Sequence, residues 1–261
     1  MEVATLALGQ RLEQIAAEYY RDRYSGPGNP MGASILQEPP LLATRVPFVP
    51  DNDQMNGAHG VFDVEQFNRA RAFYDEQFFW VDVTPSTSPA LLALLGREGF
   101  RPERFSSVLY TSPIPTPVEH AIDIAIVERE ELATFLDTIN SGFGVPDEVL
   151  PILRTNQSFW CDAPNWRLLL ARVDGQPAGA AVLSVHAETA YLAAAATLPK
   201  FRGEGIHTAL ISERLKLAIE AGCTAVTGQA EAGSTSQGNQ QRAGLGIVHT
   251  KCIWTNQPSK M

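Results

Sequence analysis

Cysteine is scarce in this chain. Three residues in 261, Cys161, Cys223 and Cys252, are too few, too far apart and odd in number for a disulfide framework, and none stands at metal-ligand spacing. They suit a reducing compartment, so the chain is expected in the cytoplasm, with no metal. Basic residues are also in deficit, 20 Lys and Arg against 29 Asp and Glu, for a formal net charge of -9. That balance argues against a nucleic-acid partner, which calls for basic patches, but leaves room for a local basic groove that binds phosphates. No apolar run approaches the roughly 20 residues of a membrane span, and the first residues lack the basic-then-apolar order of a secretory leader. Two phosphate motifs are missing as well: no glycine turn ends in Gly-Lys-Ser/Thr, and no G-x-G-x-x-G occurs. What is present, 44% hydrophobic and 19% charged residues, is an ordinary globular mixture, long enough for one large domain or two of usual size.

The most informative stretch runs from Ala190 to Gly222. Small residues from Tyr191 to Thr197 read as a strand that ends at Leu198-Pro199. A turn with two glycines follows, Arg202-Gly203-Glu204-Gly205-Ile206-His207-Thr208. Leu210, Ile211, Leu215, Leu217, Ala218 and Ile219 then recur at helical spacing, and Gly222 stands where a C-terminal cap belongs. Glycines let successive N–H groups converge, and a helix start adds unpaired N–H groups and partial positive charge. Together they suit a phosphate or pyrophosphate, with Arg202 as a nearby cation. An ordinary strand–loop–helix connection has the same outline.

This turn resembles motif A of the GCN5-related N-acetyltransferases, the GNAT family: R/Q-x-x-G-x-G/A, carried here by Arg202, Gly205 and His207, the last a departure from Gly/Ala. Downstream, Ser236-Gln237-Gly238-Asn239 followed by Gly244-Leu245 is similar to the family's S-x-x-N…G-F segment. The resemblance covers about residues 121–255. It implies an acetyl-CoA co-substrate held by Thr197, Leu198, the 202–208 turn and Asn239. It also implies a backbone N–H, that of Leu198, as the oxyanion donor. The family's catalytic Tyr, four residues before its Gly-Phe pair, is replaced here by Gln240.

Taken in order, the chain reads as a helix over 4–23, a loop over 24–40, a strand from Leu41 to Val49, a loop over 50–60, a helix from Asp63 to Gln77 and a strand from Phe78 to Val83. A helix from Ala90 to Glu98 and a strand from Phe105 to Thr111 follow, then a linker stiffened by Pro113, Pro115 and Pro117. The second half reads β-α-α-β-β-β-α-β-α-β. The fold class is thus α/β with a mixed sheet, divided into a domain over 1–115 and a GNAT domain over 120–257. Residues 79–111 and 223–254 repeat one pattern of strand, Ser/Thr-rich turn, helix, glycine and strand. That echo predicts a tandem of two acetyltransferase-like halves, with only the second able to hold the cofactor.

Acetyl transfer needs a held thioester, a donor for the oxyanion, a base for the amine proton and a proton for the leaving thiolate. Glu231, at a strand end, is the candidate base, with His186 and Glu188 as alternatives near the strand before the cofactor strand. Ser236 is the candidate hydroxyl in place of the missing Tyr. The expected acceptor is the primary amine of a small molecule. A protein amine and a non-catalytic acyl-CoA-binding module are the alternatives, and a homodimer is left open.

Overall fold

The computed structural model describes residues 5–52, 54–75 and 77–258. Along the chain run α1 (Leu6–Arg23), β1 (Ser34–Glu38), β2 (Leu41–Arg45), β3 (Gly57–His59), α2 (Val64–Tyr74), β4 (Trp80–Val83), α3 (Pro89–Arg97), β5 (Arg101–Thr111), β6 (Asp123–Ile126), α4 (Leu132–Gly142) and α5 (Leu150–Gln157). Then come β7 (Trp166–Val173), β8 (Gln176–His186), β9 (Thr189–Thr197), α6 (Ile206–Glu220), β10 (Ala225–Glu231), α7 (Thr235–Arg242) and β11 (Gly246–Thr255). Among the described residues two compact units form. The N-terminal unit holds 5–25, 31–108 and 248–258; the C-terminal unit holds 26–30 and 109–247.

In the N-terminal unit the strand order is β1-β2-β3-β4-β11-β5. Strands β3 and β4 are parallel and β11 is antiparallel to β4, with Ile253 opposite Asp82. The core is Leu41, Ala43, Ala58, Val61, Phe67, Phe79, Val81, Leu91 and Leu95. Helix α2 starts where expected, because Asp63 accepts from the Gln66 N–H while the Gln66 side chain accepts from the Asp63 N–H. The expected loops over 24–40 and 50–60 contain strands β1 and β3 instead. Strand β1 is partly to fully exposed and ends in Gln37-Glu38, and β3 is only Gly-Ala-His. Neither shows the alternation that marks a half-buried strand.

In the C-terminal unit the order is β10-β9-β8-β7-β6, with the Leu109–Thr111 end of β5 beside β10. The Asp174-Gly175 turn joins β7 and β8 with both residues at positive φ, the backbone a two-residue hairpin requires. Helix α6 lays Ile206, Leu210, Ile211, Leu215 and Ala218 onto Leu169, Ala181, Leu183, Leu192 and Val226. The pattern repeated in the sequence is repeated in structure. Ser88 caps α3 and Ser234 caps α7 through their side chains, and Gly99 and Gly244, at positive φ, follow each helix.

Candidate functional site

Strands β8 and β9 pair in register from Gly179↔Thr197 to Ala181↔Ala195, and again from Leu183↔Leu192. Between those stretches Val182 alone faces Ala193 and Ala194. This is a β-bulge, which bends the strand and turns its following residues aside. On the other edge of β9 the parallel ladder with β10 ends at Leu192↔Gly228, although both strands run on, to Thr197 and Glu231. The two strands therefore part at the bulge. Beyond Leu192, β9 has no ladder partner on its β10 side.

A buried cation sits behind the bulge. Arg214, on α6 and 2% exposed, donates from Nη1 to the carbonyls of Val182 (3.3 Å) and Ala193 (3.4 Å), and from Nε to Leu210 O (3.0 Å). These are the carbonyls that the bulge takes out of regular pairing.

At the far end of β9 the chain enters the glycine turn. Gly203 and Gly205 have φ of 89° and 80°, where a side chain is strained. Gly205 is the N-cap of α6 and offers no side chain to the first turn, so the N–H groups of Ile206, His207 and Thr208 have no side-chain cap. Glu204 and Thr208 are exposed and Ile206 is buried. The turn thus presents backbone donors and the positive end of a 15-residue helix to one place, the arrangement that holds a phosphate.

Several expected roles change. The Leu198 N–H donates to Ala178 O at 2.9 Å, so the sheet consumes it and it is no open oxyanion donor. Arg202 reaches back rather than outward: its Nε bonds Thr197 O (3.4 Å) and its Nη2 bonds Gly142 O (3.3 Å), tying the turn to the end of α4. Asn239, 7% exposed, bridges instead of presenting its amide. Its Nδ2 meets His207 Nδ1 at 2.8 Å and its Oδ1 accepts from Arg242. His186 pairs with Thr189 at the start of β9, and Glu188 lies in the adjoining turn. Four residues of strand, about 13 Å, separate Thr189 from Ala193, where β9 leaves β10, so neither His186 nor Glu188 stands at the opening between the strands. Glu231 lies three residues past Gly228, exposed at the end of β10. Ser236 is half-buried in the first turn of α7.

Gln240, at the position of the family Tyr, is 4% exposed and donates to Gln229 O at 3.4 Å. Its Oε1 is buried without a partner, against Gly228, where a Cβ would stand 2.2 Å away. Gly228 is the residue at which the strands part, and the Gln240 amide lies on the face of the sheet over it. The bulge, Arg214 and this use of Gln240 are invisible to spacing rules. The one available signal for Arg214 is an arginine within an otherwise apolar helical face.

His207 is held neutral. Burial, aided by the Arg214 charge, lowers its pKa from 6.5 to about 4. Because Asn239 Nδ2 can only donate, His207 Nδ1 is the acceptor and its proton sits on Nε2. Between about pH 6.5 and pH 4 the unfolded chain binds a proton there that the folded chain does not. Stability therefore falls as pH drops through this window, by about 1–3 kcal/mol in all. Urea unfolding at pH 7.5, 5.5 and 4.0 should show that loss, and His207→Gln should reduce it.

Residues 132–238 match the family model described as Acetyltransferase (GNAT) family. No curated protein matches the chain. Solved structures share its fold. A GCN5-related N-acetyltransferase from Kribbella flavida aligns with TM-score 0.61 at 18% identity, over 95% of this chain and 97% of its own. One from Sphaerobacter thermophilus aligns with TM-score 0.62 at 16% identity, over 87% and 77%. A tandem GNAT protein from the clavulanic acid biosynthesis pathway aligns with TM-score 0.60 at 14% identity, over 99% and 98%. The fold is that of two acetyltransferase-like halves in tandem. Among the described residues no helix is long and apolar enough to cross a membrane, and no group of three His, Cys, Asp or Glu could hold a metal ion.

Proposed function

We propose, from a chain whose C-terminal half carries a GNAT acetyltransferase domain, that this half transfers the acetyl group of acetyl-CoA to the primary amine of a small molecule. One observation carries the reading: β9 parts from β10 at Leu192/Gly228 and leads into the uncapped glycine turn that starts α6. The pyrophosphate of acetyl-CoA suits the N–H groups from Gly203 to Thr208. The pantetheine arm, with two amides, suits the edge of β9 from Ala193 to Thr197 as an added strand. The same edge supplies the backbone donor for the oxyanion in place of Leu198.

The amine nitrogen attacks the thioester carbonyl in a ternary complex, the C–N bond forms, and the C–S bond breaks. Glu231, directly or through water, takes the amine proton. Ser236 or water returns a proton to the CoA thiolate. A small amine fits the acidic balance of the chain, and three unpaired cysteines suit the cytoplasm.

Gln240 favours a second reading, an acyl-CoA-binding module without transfer, since no phenol stands at that position. Release of free CoA thiol, followed with acetyl-CoA and a panel of small amines and lysine peptides, separates the readings. The first expects thiol release that depends on a small amine. Release with peptides alone would move the acceptor to protein. Binding of acetyl-CoA with no release for any acceptor would establish the module.

A further inference from the structure

In the C-terminal unit the two helices beside the cofactor turn are tied to each other where the sheet opens. Leu192, the last residue of β9 in the ladder with β10, packs under α6. Its register partner Gly228 has Gln240 of α7 over it on the same face: a Cβ on Gly228 would meet Gln240 Oε1 at 2.2 Å and Leu192 Cβ at 3.4 Å. Helices α6 and α7 therefore lie side by side, α6 against β8 and β9, α7 against β10. Both run back from the ends of their strands. A Cβ on Gly179, the partner of Thr197, would stand 2.8 Å from Ile206 at the start of α6, whereas Arg214, two turns on, meets the Ala193 carbonyl. Helix α7 starts past Glu231 and reaches Gly228 only at Gln240. The first turns of both helices thus stand over the stretch in which β9 and β10 have parted.

His207, in the first turn of α6, and Asn239 of α7 hydrogen-bond over that stretch at 2.8 Å. The polarity of the bond is settled by its neighbours. Arg242 only donates, so the Asn239 oxygen faces Arg242 and the amide nitrogen faces His207. An imidazole whose pKa is lowered to about 4 is neutral at neutral pH, so its Nδ1 accepts. The family pattern has Gly or Ala at the position of His207, and neither carries a side chain that could make this bond.

We propose that His207 is a positioning residue for the acyl donor: through Asn239 it ties α7 to α6 as a roof over the opening between β9 and β10, beneath which the pantetheine arm lies. This rests on the reading of the glycine turn as the site of acetyl-CoA. The adenosine and pyrophosphate end of the donor is too wide to thread below the bond, so the arm enters and leaves only while the bond is open. The bond is remade over the bound arm. It therefore slows entry and release alike and leaves their ratio nearly unchanged.

The test is the kinetics of acetyl-CoA binding to the immobilised full chain, followed by surface plasmon resonance for the wild type, His207→Ala and His207→Asn. Alanine keeps the backbone N–H of the turn and removes the acceptor; asparagine sets an amide oxygen where Nδ1 stood. In His207→Ala both the association and the dissociation rate constants should rise about three- to tenfold, the span expected of one neutral hydrogen bond. His207→Asn should return both toward the wild-type values. Unchanged rates in a folded His207→Ala protein would overturn the proposal, as would a rise in dissociation alone, the sign of a direct contact to the donor. If His207→Ala fails to fold, the ring ¹⁵N resonances of His207 in the wild type decide: they should shift on saturation with acetyl-CoA, and resonances that stay in place would overturn the proposal. Binding with unchanged rates removes the roof and leaves the acetyl-CoA reading standing, whereas no binding by any of the three proteins overturns both.

Discussion

Replacing Lys251 by methionine is expected to destabilise the N-terminal unit by about 3–5 kcal/mol, the usual result of removing one partner from a buried ion pair. Lys251 is 3% exposed and donates at 2.7 Å to two carboxylates, Glu13 and Asp82, that are themselves 5% and 6% exposed. Burial alone would lower its pKa; the two carboxylates raise it above the ordinary lysine value, so it stays charged. Methionine keeps the length and apolar volume of the stem and removes the ammonium, which leaves two buried carboxylates with only the imidazoles of His59 and His249 beside them. Both carboxyl groups, held below their ordinary values by Lys251 and the histidines, would then be driven to take up protons. Lys251→Met should accordingly be least destabilising in acid, and the Glu13→Gln/Asp82→Asn/Lys251→Met triple variant should recover most of the loss. Urea unfolding of the single and triple variants measures both effects. Equal stability of Lys251→Met and the wild type at neutral pH would contradict the role given to this chain.

The second large effect is expected at Arg214. Arg214→Leu keeps an apolar residue on the buried face of α6 but takes away the donors to Val182 O and Ala193 O. Buried carbonyls left without donors cost about 1–3 kcal/mol each. Allowing for the relief of one buried cation, a net loss of about 2–4 kcal/mol is expected. The variant should also lose function beyond stability. The bulge lies where β9 leaves β10, and without the guanidinium the strand is free to return to regular pairing and close the opening. The His207 pKa should rise toward 6.5 in a folded Arg214→Leu protein, because one of the two causes of its depression is gone. Imidazole NMR titration follows that shift. An unchanged His207 pKa, together with unchanged stability, would show that Arg214 does not act as described.

How far these features could be read from sequence depends on their range. Helix α6 was legible because its apolar period and Gly222 are local, and Gly222 does sit at positive φ after the helix. The helix start at Asp63 and the repeated strand–turn–helix–glycine–strand unit were legible for the same reason. The bulge was not. Ala193 to Ala196 are four identical small residues, so nothing in their order says which one slips out of register. His186 and Glu188 are near β9 in sequence but at its start, about 13 Å of strand from Ala193, where β9 leaves β10. The resemblance implies Leu198 as the oxyanion donor because it ends its strand, yet the N–H of a strand-end residue remains available to its neighbour, here Ala178 O. The chain from His249 through Glu13 and Lys251 to Asp82 joins residues up to 238 positions apart and follows no spacing.

The central claim is that the turn from Arg202 to Thr208 binds acetyl-CoA. Calorimetric titration of acetyl-CoA into the wild type and into Gly205→Asp tests it most directly. Gly205 has a φ of 80° and open space where a Cβ would go, so aspartate strains the turn and sets a negative charge beside the uncapped N–H groups. The account predicts saturable one-to-one binding by the wild type and at least a hundredfold loss in Gly205→Asp, with far-ultraviolet circular dichroism unchanged. Absence of binding by the wild type, or equal binding by the two proteins, would contradict it.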